Sequence, residues 1–156
     1  MNTLKTLSIA LGLFISITIV AQDKMANNMD NSNIALQGYS AVSYLDLGIA
    51  QKGLKEFKSE HEKVVYYFTS VEQKSAFDKN SDKYLPQYGG FCAFGTYAGA
   101  KFRPDPNKFI VKNGKYFLYL YNLELDAQQL WLAEHDHKKL KSVADKNWVK
   151  LSKTHN

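Results

Sequence analysis

The residues best placed to do chemistry lie in one stretch, Tyr84–Gly99, which reads Tyr-Leu-Pro-Gln-Tyr-Gly-Gly-Phe-Cys-Ala-Phe-Gly-Thr-Tyr-Ala-Gly. It holds the chain's single cysteine, Cys92, just after the pair Gly89-Gly90 and among Tyr84, Tyr88, Phe91, Phe94 and Tyr97. A glycine pair lets the backbone take left-handed angles or approach another group closely, which a side chain forbids. A helix starting near Phe91 or Cys92 would aim unbonded N–H groups and the positive end of its dipole at the thiol, favouring the thiolate. The same aromatic setting suits a cysteine that is simply a small buried hydrophobe. The two readings have opposite signs: an open helix start lowers the thiol pKa, whereas an apolar core raises it.

Metal ligation needs several converging side chains, and the candidates beside Cys92 are His61, His135, His137 and His155. His135-Asp136-His137 is the only cluster. Residues i and i+2 of a helix diverge, so both imidazoles could meet one metal only on extended or irregular backbone. With Lys138 and Lys139 following, the cluster reads as a solvated helix start. The absence of any Cys-x-x-Cys pair excludes a cysteine-rich zinc site. No histidine lies near Cys92 in sequence, so a catalytic base would have to come from elsewhere in the fold. There is no Gly-x-Ser-x-Gly elbow, phosphate loop or dinucleotide fingerprint. The net charge is +5, yet Arg103 is the sole arginine. Dispersed lysines without arginine argue against a nucleic-acid partner, because arginine reads bases and phosphates bidentately.

The N-terminus has a separate logic. Lys5 precedes the run Leu7–Val20, 14 apolar or small residues. That matches a secretory apolar region and falls short of the roughly 20 residues that span a bilayer. Val20-Ala21-Gln22 offers a small-residue cleavage site. Residues 1–22 are therefore expected to be an export signal and the chain's only membrane contact, giving a periplasmic or secreted protein. Residues 23–33 read as a flexible polar leader, 34–151 as one folded domain and 152–156 as a tail. A lone cysteine in an exported chain leaves no internal disulfide, so packing of its 10 Tyr, 9 Phe and 2 Trp must supply stability.

Around the central stretch, Val42 and Tyr44 alternate as in a short strand. Leu54–Ser59 and Val64–Thr69 flank His61-Glu62-Lys63 as a hairpin, with His61 a solvated loop residue. Ser70 and Gln73 form a capping box ahead of a helix over 71–79 that turns Val71, Ala76 and Phe77 inward. Asn80-Ser81 ends it, and Pro86 blocks extension through 83–85. Arg103-Pro104-Asp105-Pro106 reads as a rigid loop. Asn113-Gly114, between Phe109–Val111 and Lys115–Tyr121, is the strongest hairpin signal in the chain. Asn122 is a cap for a helix bearing Ala127, Leu130 and Trp131 on one face. Leu140, Ala144, Trp148 and Leu151 form the apolar stripe of a last helix. Short elements joined by hairpins predict an α+β fold: a small antiparallel sheet, short helices and a C-terminal amphipathic helix.

Tyr66-Tyr67-Phe68-Thr69-Ser70, Ala76-Phe77 and Asp82-Lys83-Tyr84-Leu85-Pro86 resemble the YHS domain. A longer set resembles the exported, single-domain bacterial YHS proteins: residues 35–44, Tyr88-Gly89-Gly90-Phe91-Cys92-Ala93, Asp105-Pro106, Gly114-Lys115-Tyr116 and Ala144-Asp145-Lys146-Asn147-Trp148. These pieces span about residues 34–151. YHS domains are related to metallochaperone-like modules, and in the exported branch the position of Cys92 resembles one that can hold selenocysteine. The resemblance therefore implies a module that binds a soft metal ion such as copper, or exchanges electrons with a small thiol, through Cys92. Tyr39, Tyr44, Tyr88, Gly89, Gly90 and Arg103 are the expected site lining, with the Arg103 guanidinium able to steady a thiolate. Such a module is a binding protein more than a turnover enzyme. The alternatives are a peroxide- or disulfide-reducing thiol enzyme with an external reductant, and a non-catalytic interaction domain whose cysteine is structural.

Overall fold

The computed structural model describes residues 27–29 and 32–154. The apolar run 7–20, its cleavage site and His155 lie outside them. One strand organises the rest. In β4 (Lys115–Tyr119) successive side chains point to opposite faces. Tyr116 and Leu118 enter one core with Val42, Tyr44, Tyr66, Phe68, Phe77 and Tyr84. Phe117 and Tyr119 enter a second core with Tyr88, Cys92, Ala127, Trp131, Leu140 and Ala144. All four strand residues are buried, so β4 is a partition with apolar packing on both sides.

β3 (Asp105–Lys112) pairs antiparallel with β4, from Phe109↔Leu118 to Lys112↔Lys115. Asn113 (φ 53°) and Gly114 (φ 69°) join them with both central residues left-handed, as a type I′ turn requires. A side chain on Gly114 would meet nothing within 4 Å, so the turn needs its backbone angle and not the space. Asp105 and Pro106, expected in a loop, open β3 instead. The register is irregular between Asp105 and Phe109, and this stretch tolerates a proline that cannot donate to a ladder. β4 ends at Tyr119, two residues earlier than expected.

β1 (Leu54–His61) and β2 (Val64–Phe68) make the other hairpin, turning through Glu62 and Lys63. His61 is not a loop residue: it ends β1, its ring 6.2 Å from that of Phe77 and its Nε2 3.6 Å from Asp82. α2 (Val71–Lys79) starts as predicted, with Ser70 Oγ accepting from the Gln73 N–H at 3.3 Å. The Gln73 side chain reaches back to the Thr69 N–H (3.2 Å), one residue before the usual partner. Phe77 carries the packing, 4.8 Å from Tyr66 and 5.0 Å from Phe68, whereas Val71 points outward, 54% exposed.

The largest departure is at 41–47, where the expected strand is helical: Ala41 and Val42 lead into α1 (Ser43–Leu47), a wide π-type turn. Ser40, Ala41, Val42, Ser43 and Tyr44 are all buried, so alternation of polarity carries no information there. Ser40 Oγ accepts from the Ser43 N–H and donates to Gln73 Oε1 at 2.7 Å, and Gln73 Nε2 donates to Ser43 Oγ at 3.0 Å. This closed polar network fixes the segment on α2 without leaving a buried hydroxyl unanswered.

After Asn80 the chain makes one more helical turn, α3 (Ser81–Tyr84), before Pro86. α4 (Ala93–Tyr97) follows the glycine pair. Asp126, not Asn122, caps α5 (Ala127–Ala133), accepting from the Gln128 and Gln129 N–H groups. Asn122 instead folds its own loop, accepting from Glu124 and Leu125, and Leu130 faces out, 41% exposed. α6 (His137–Leu151) buries Leu140 and Ala144 and half-buries Trp148 and Leu151. The architecture is α+β: two antiparallel two-stranded ribbons, short helices and a C-terminal helix. Among the described residues, no helix is long and apolar enough to cross a membrane.

Candidate functional site

Cys92 sits where the second core meets the free edge of β4. Tyr88, Gly89 and Gly90 precede it with φ of 54°, 58° and 83°, three left-handed residues in a row. For the tyrosine this costs about 1–2 kcal/mol. The turn is held by the Phe91 N–H on the Tyr88 carbonyl (3.0 Å) and by Asn28, whose backbone and side-chain amides donate to Gly89 and Gly90 at 2.8 and 3.1 Å. That part of the expected flexible leader is therefore docked. The turn delivers Cys92 into a parallel bridge with Leu118, its N–H on the Phe102 carbonyl at 2.9 Å.

From there Cys92 caps α4. Its carbonyl accepts from the Thr96 N–H and hydroxyl, and its sulfur accepts from the Gly95 N–H at 3.4 Å. A second donor comes across the core, the Leu120 N–H at 3.2 Å. Both sequence expectations thus meet in one residue, a cysteine at a helix start that is also 1% exposed. Burial wins. It pushes the thiol pKa up, opposed by the N–H groups of Leu120, Gly95 and Phe94.

Tyr119 shares this core, and its hydroxyl is buried with no hydrogen-bond partner. Burial raises its pKa, and the negative forms of Cys92 and then Tyr88 raise it further. Tyr88 differs: its hydroxyl donates to Asp145 Oδ1 at 3.0 Å, and burial followed by that carboxylate raises its pKa.

Of the other expected lining residues, two belong to the first core or its margin and the third is exposed beside Phe102. Tyr44 belongs to the first core and donates to the Pro106 carbonyl at 2.8 Å. Tyr39 packs at the margin of that core, with Lys52 5.1 Å from its ring centre. Arg103 is exposed. The structure brings together Cys92, Tyr88, Gly89 and Gly90, and adds Tyr119 and the Leu120 amide. Tyr119 was recoverable from strand alternation, which puts it on the face of Phe117. The Leu120 donor depends on a contact 28 residues away and has no local signal.

The two histidines part company. His135 is exposed in a left-handed turn. His137, expected to be solvated, packs edge-on to Phe117 with ring centres 5.0 Å apart, and its Nδ1 accepts from Trp131 Nε1 at 3.1 Å. Accepting there places the proton on Nε2, which is buried without a partner. Burial, then Lys112 and Lys141, lower its pKa. Among the described residues, no three His, Cys, Asp or Glu side chains stand close enough to hold a metal. Compared with family models, curated proteins and solved structures, the chain finds no match.

Proposed function

We propose that this chain is an extracytoplasmic YHS-type module that works through the thiol of Cys92, as a redox-responsive domain more than a turnover enzyme. The observation that carries the reading is the sulfur's setting, with two backbone N–H donors from separate elements, Gly95 and Leu120. The Gly95 bond also caps α4, whereas the Leu120 bond reaches the sulfur from outside that helix, and such donors suit a sulfur that acquires negative charge or an oxygen. Soft-metal binding, copper included, is the weaker branch. Among the described residues no three His, Cys, Asp or Glu side chains converge, so we derive no step through a metal.

The observation favouring the rival reading, an interaction domain with a structural cysteine, is the 1% exposure of Cys92. Hydrogen peroxide and iodoacetamide, applied from about pH 6 to 10 to the folded protein and to its unfolded chain, separate the two. The redox reading expects modification of the folded protein that rises at a higher pH than in the unfolded chain, because burial raises the thiol pKa. Modification of the unfolded chain alone establishes the structural cysteine. Export is tested by intact mass from the native host, with the loss of residues 1–21 or 1–22 expected.

A further inference from the structure

The second core holds a hydroxyl that its fold does not use. Tyr119 is 0% exposed and its oxygen has no partner, whereas Tyr116, on the other face of the same strand, donates to the Tyr84 carbonyl at 2.9 Å. An unanswered buried hydroxyl carries the full penalty of lost hydration, so its presence calls for an explanation. The groups that share its core narrow that explanation. Tyr88 is already engaged with Asp145, Trp131 donates to His137, and Cys92 bridges the strand at Leu118, next to Tyr119. The sulfur already takes two N–H bonds and takes none from Tyr119. An oxygen added to that sulfur extends the acceptor by one bond and is a far better acceptor than a thiol.

We propose that Tyr119 is the hydrogen-bond donor for an oxidised Cys92, holding it as a sulfenic acid formed by a hydroperoxide. This rests on the redox reading of Cys92. In the step, the O–O bond of the hydroperoxide breaks as an S–O bond forms. The sulfur loses two electrons, the peroxide is reduced to an alcohol or water, and the thiol proton leaves on that product oxygen. Cys92 is the only cysteine, so no second thiol of the chain can condense with the sulfenic acid. Clearance falls to a small external thiol: one molecule forms a mixed disulfide and releases water, and a second restores Cys92 by exchange. Tyr119 retards the competing course, further oxidation to sulfinic and sulfonic acid, by keeping the single oxygen bonded and turned into the core.

The test compares wild-type protein, Tyr119→Phe and Tyr116→Phe after exposure to hydrogen peroxide, by intact mass and by trapping with a sulfenic-acid-selective dione. Wild type and Tyr116→Phe should accumulate a one-oxygen, dione-reactive form that 2-mercaptoethanol reverses. Tyr119→Phe keeps the ring and removes only the hydroxyl. It should hold about tenfold less of that form, equivalent to ~1.4 kcal/mol, and pass to two- and three-oxygen products. Equal accumulation in Tyr119→Phe, or over-oxidation of the wild type without a one-oxygen stage, overturns the role of Tyr119 and leaves the redox reading standing. A folded wild type that resists peroxide while its unfolded chain oxidises overturns the redox reading, and this inference with it.

Discussion

One strand supplies both cores of this protein, and they are finished differently. In the first, three tyrosine hydroxyls are answered, Tyr44 by the Pro106 carbonyl, Tyr84 by Asp46 and Tyr116 by the Tyr84 carbonyl, at 2.8 to 2.9 Å, although Ser59 Oγ, opposite Tyr66 on β1, is buried without a partner. Ser40 and Ser43 close a network with Gln73. In the second, which holds the thiol, the Tyr119 hydroxyl is buried without a partner, as is Nε2 of His137, packed against Phe117 and Trp131. A core built only for stability has no reason to bury such groups, since each unmet donor costs about 1–3 kcal/mol. On the redox reading proposed above, the first core serves chiefly stability and the second chemistry.

Four measurements can break or sharpen that contrast. The largest effect belongs to Phe77→Ala, which empties a fully buried site ringed by Tyr66, Phe68 and Tyr84. A loss of about 3–5 kcal/mol in urea denaturation is expected, and a loss under ~1 kcal/mol would deny the first core its structural role. Next is the partition itself. Gly114→Val forces a branched residue to φ near 69° in open space, so its cost is backbone strain alone, of order 1–3 kcal/mol. An unchanged denaturation midpoint would show that the turn does not set the β3–β4 register.

The third measurement is a pH dependence. His137 has a folded pKa below its ordinary 6.5, so the unfolded chain takes up the proton first as the solution is acidified. Its contribution is fully present above about 6.5 and is lost as pH falls through the lowered folded value. Protonation also removes the Nδ1 lone pair that holds Trp131. Urea midpoints at about pH 7.5 and 5 should fall more for wild type than for His137→Phe. Equal slopes would mean that His137 titrates as freely as a surface residue. The smallest effect is the most diagnostic. Tyr116→Phe should cost about 1 kcal/mol because it strands the Tyr84 carbonyl, whereas Tyr119→Phe, which removes an unmet donor and keeps the ring, should raise stability by about 1 kcal/mol. Equal losses would mean that the two faces of β4 are finished alike.

Legibility in the sequence followed the range of the interactions. Both hairpins, the Ser70 cap and the C-terminal stripe are set by residues within a few positions of one another, and each is present, with strand ends shifted by one to four residues. The strand expected at Val42 and Tyr44 failed because burial on every side erases periodicity. The cap expected at Asn122 failed because Asp126 competes four residues later, with Lys108 2.6 Å from its carboxylate. At the candidate site, the helix start at Cys92 was readable from the glycine pair. Its burial was readable as the alternative that the aromatic setting offered, but the Leu120 donor to its sulfur was not, since that contact spans 28 residues. Tyr39 and Tyr44 were grouped with Cys92 by sequence motif and lie in or against the other core, whereas Arg103 directly follows Phe102, whose carbonyl bonds the Cys92 N–H, and is exposed there.

The partition has a consequence for the order of assembly. One edge of β4 is closed by a two-residue turn, a contact that forms in microseconds. The other waits for Cys92, 28 residues from its Leu120 donor, and the entropy of closing that longer loop must be met by packing that only α6 completes. During that interval a half-built strand shows Phe117 and Tyr119 to water along an unpaired edge, the form of a folding chain most prone to join a neighbour. The cysteine that closes the edge therefore also ends the chain's period of greatest exposure to aggregation.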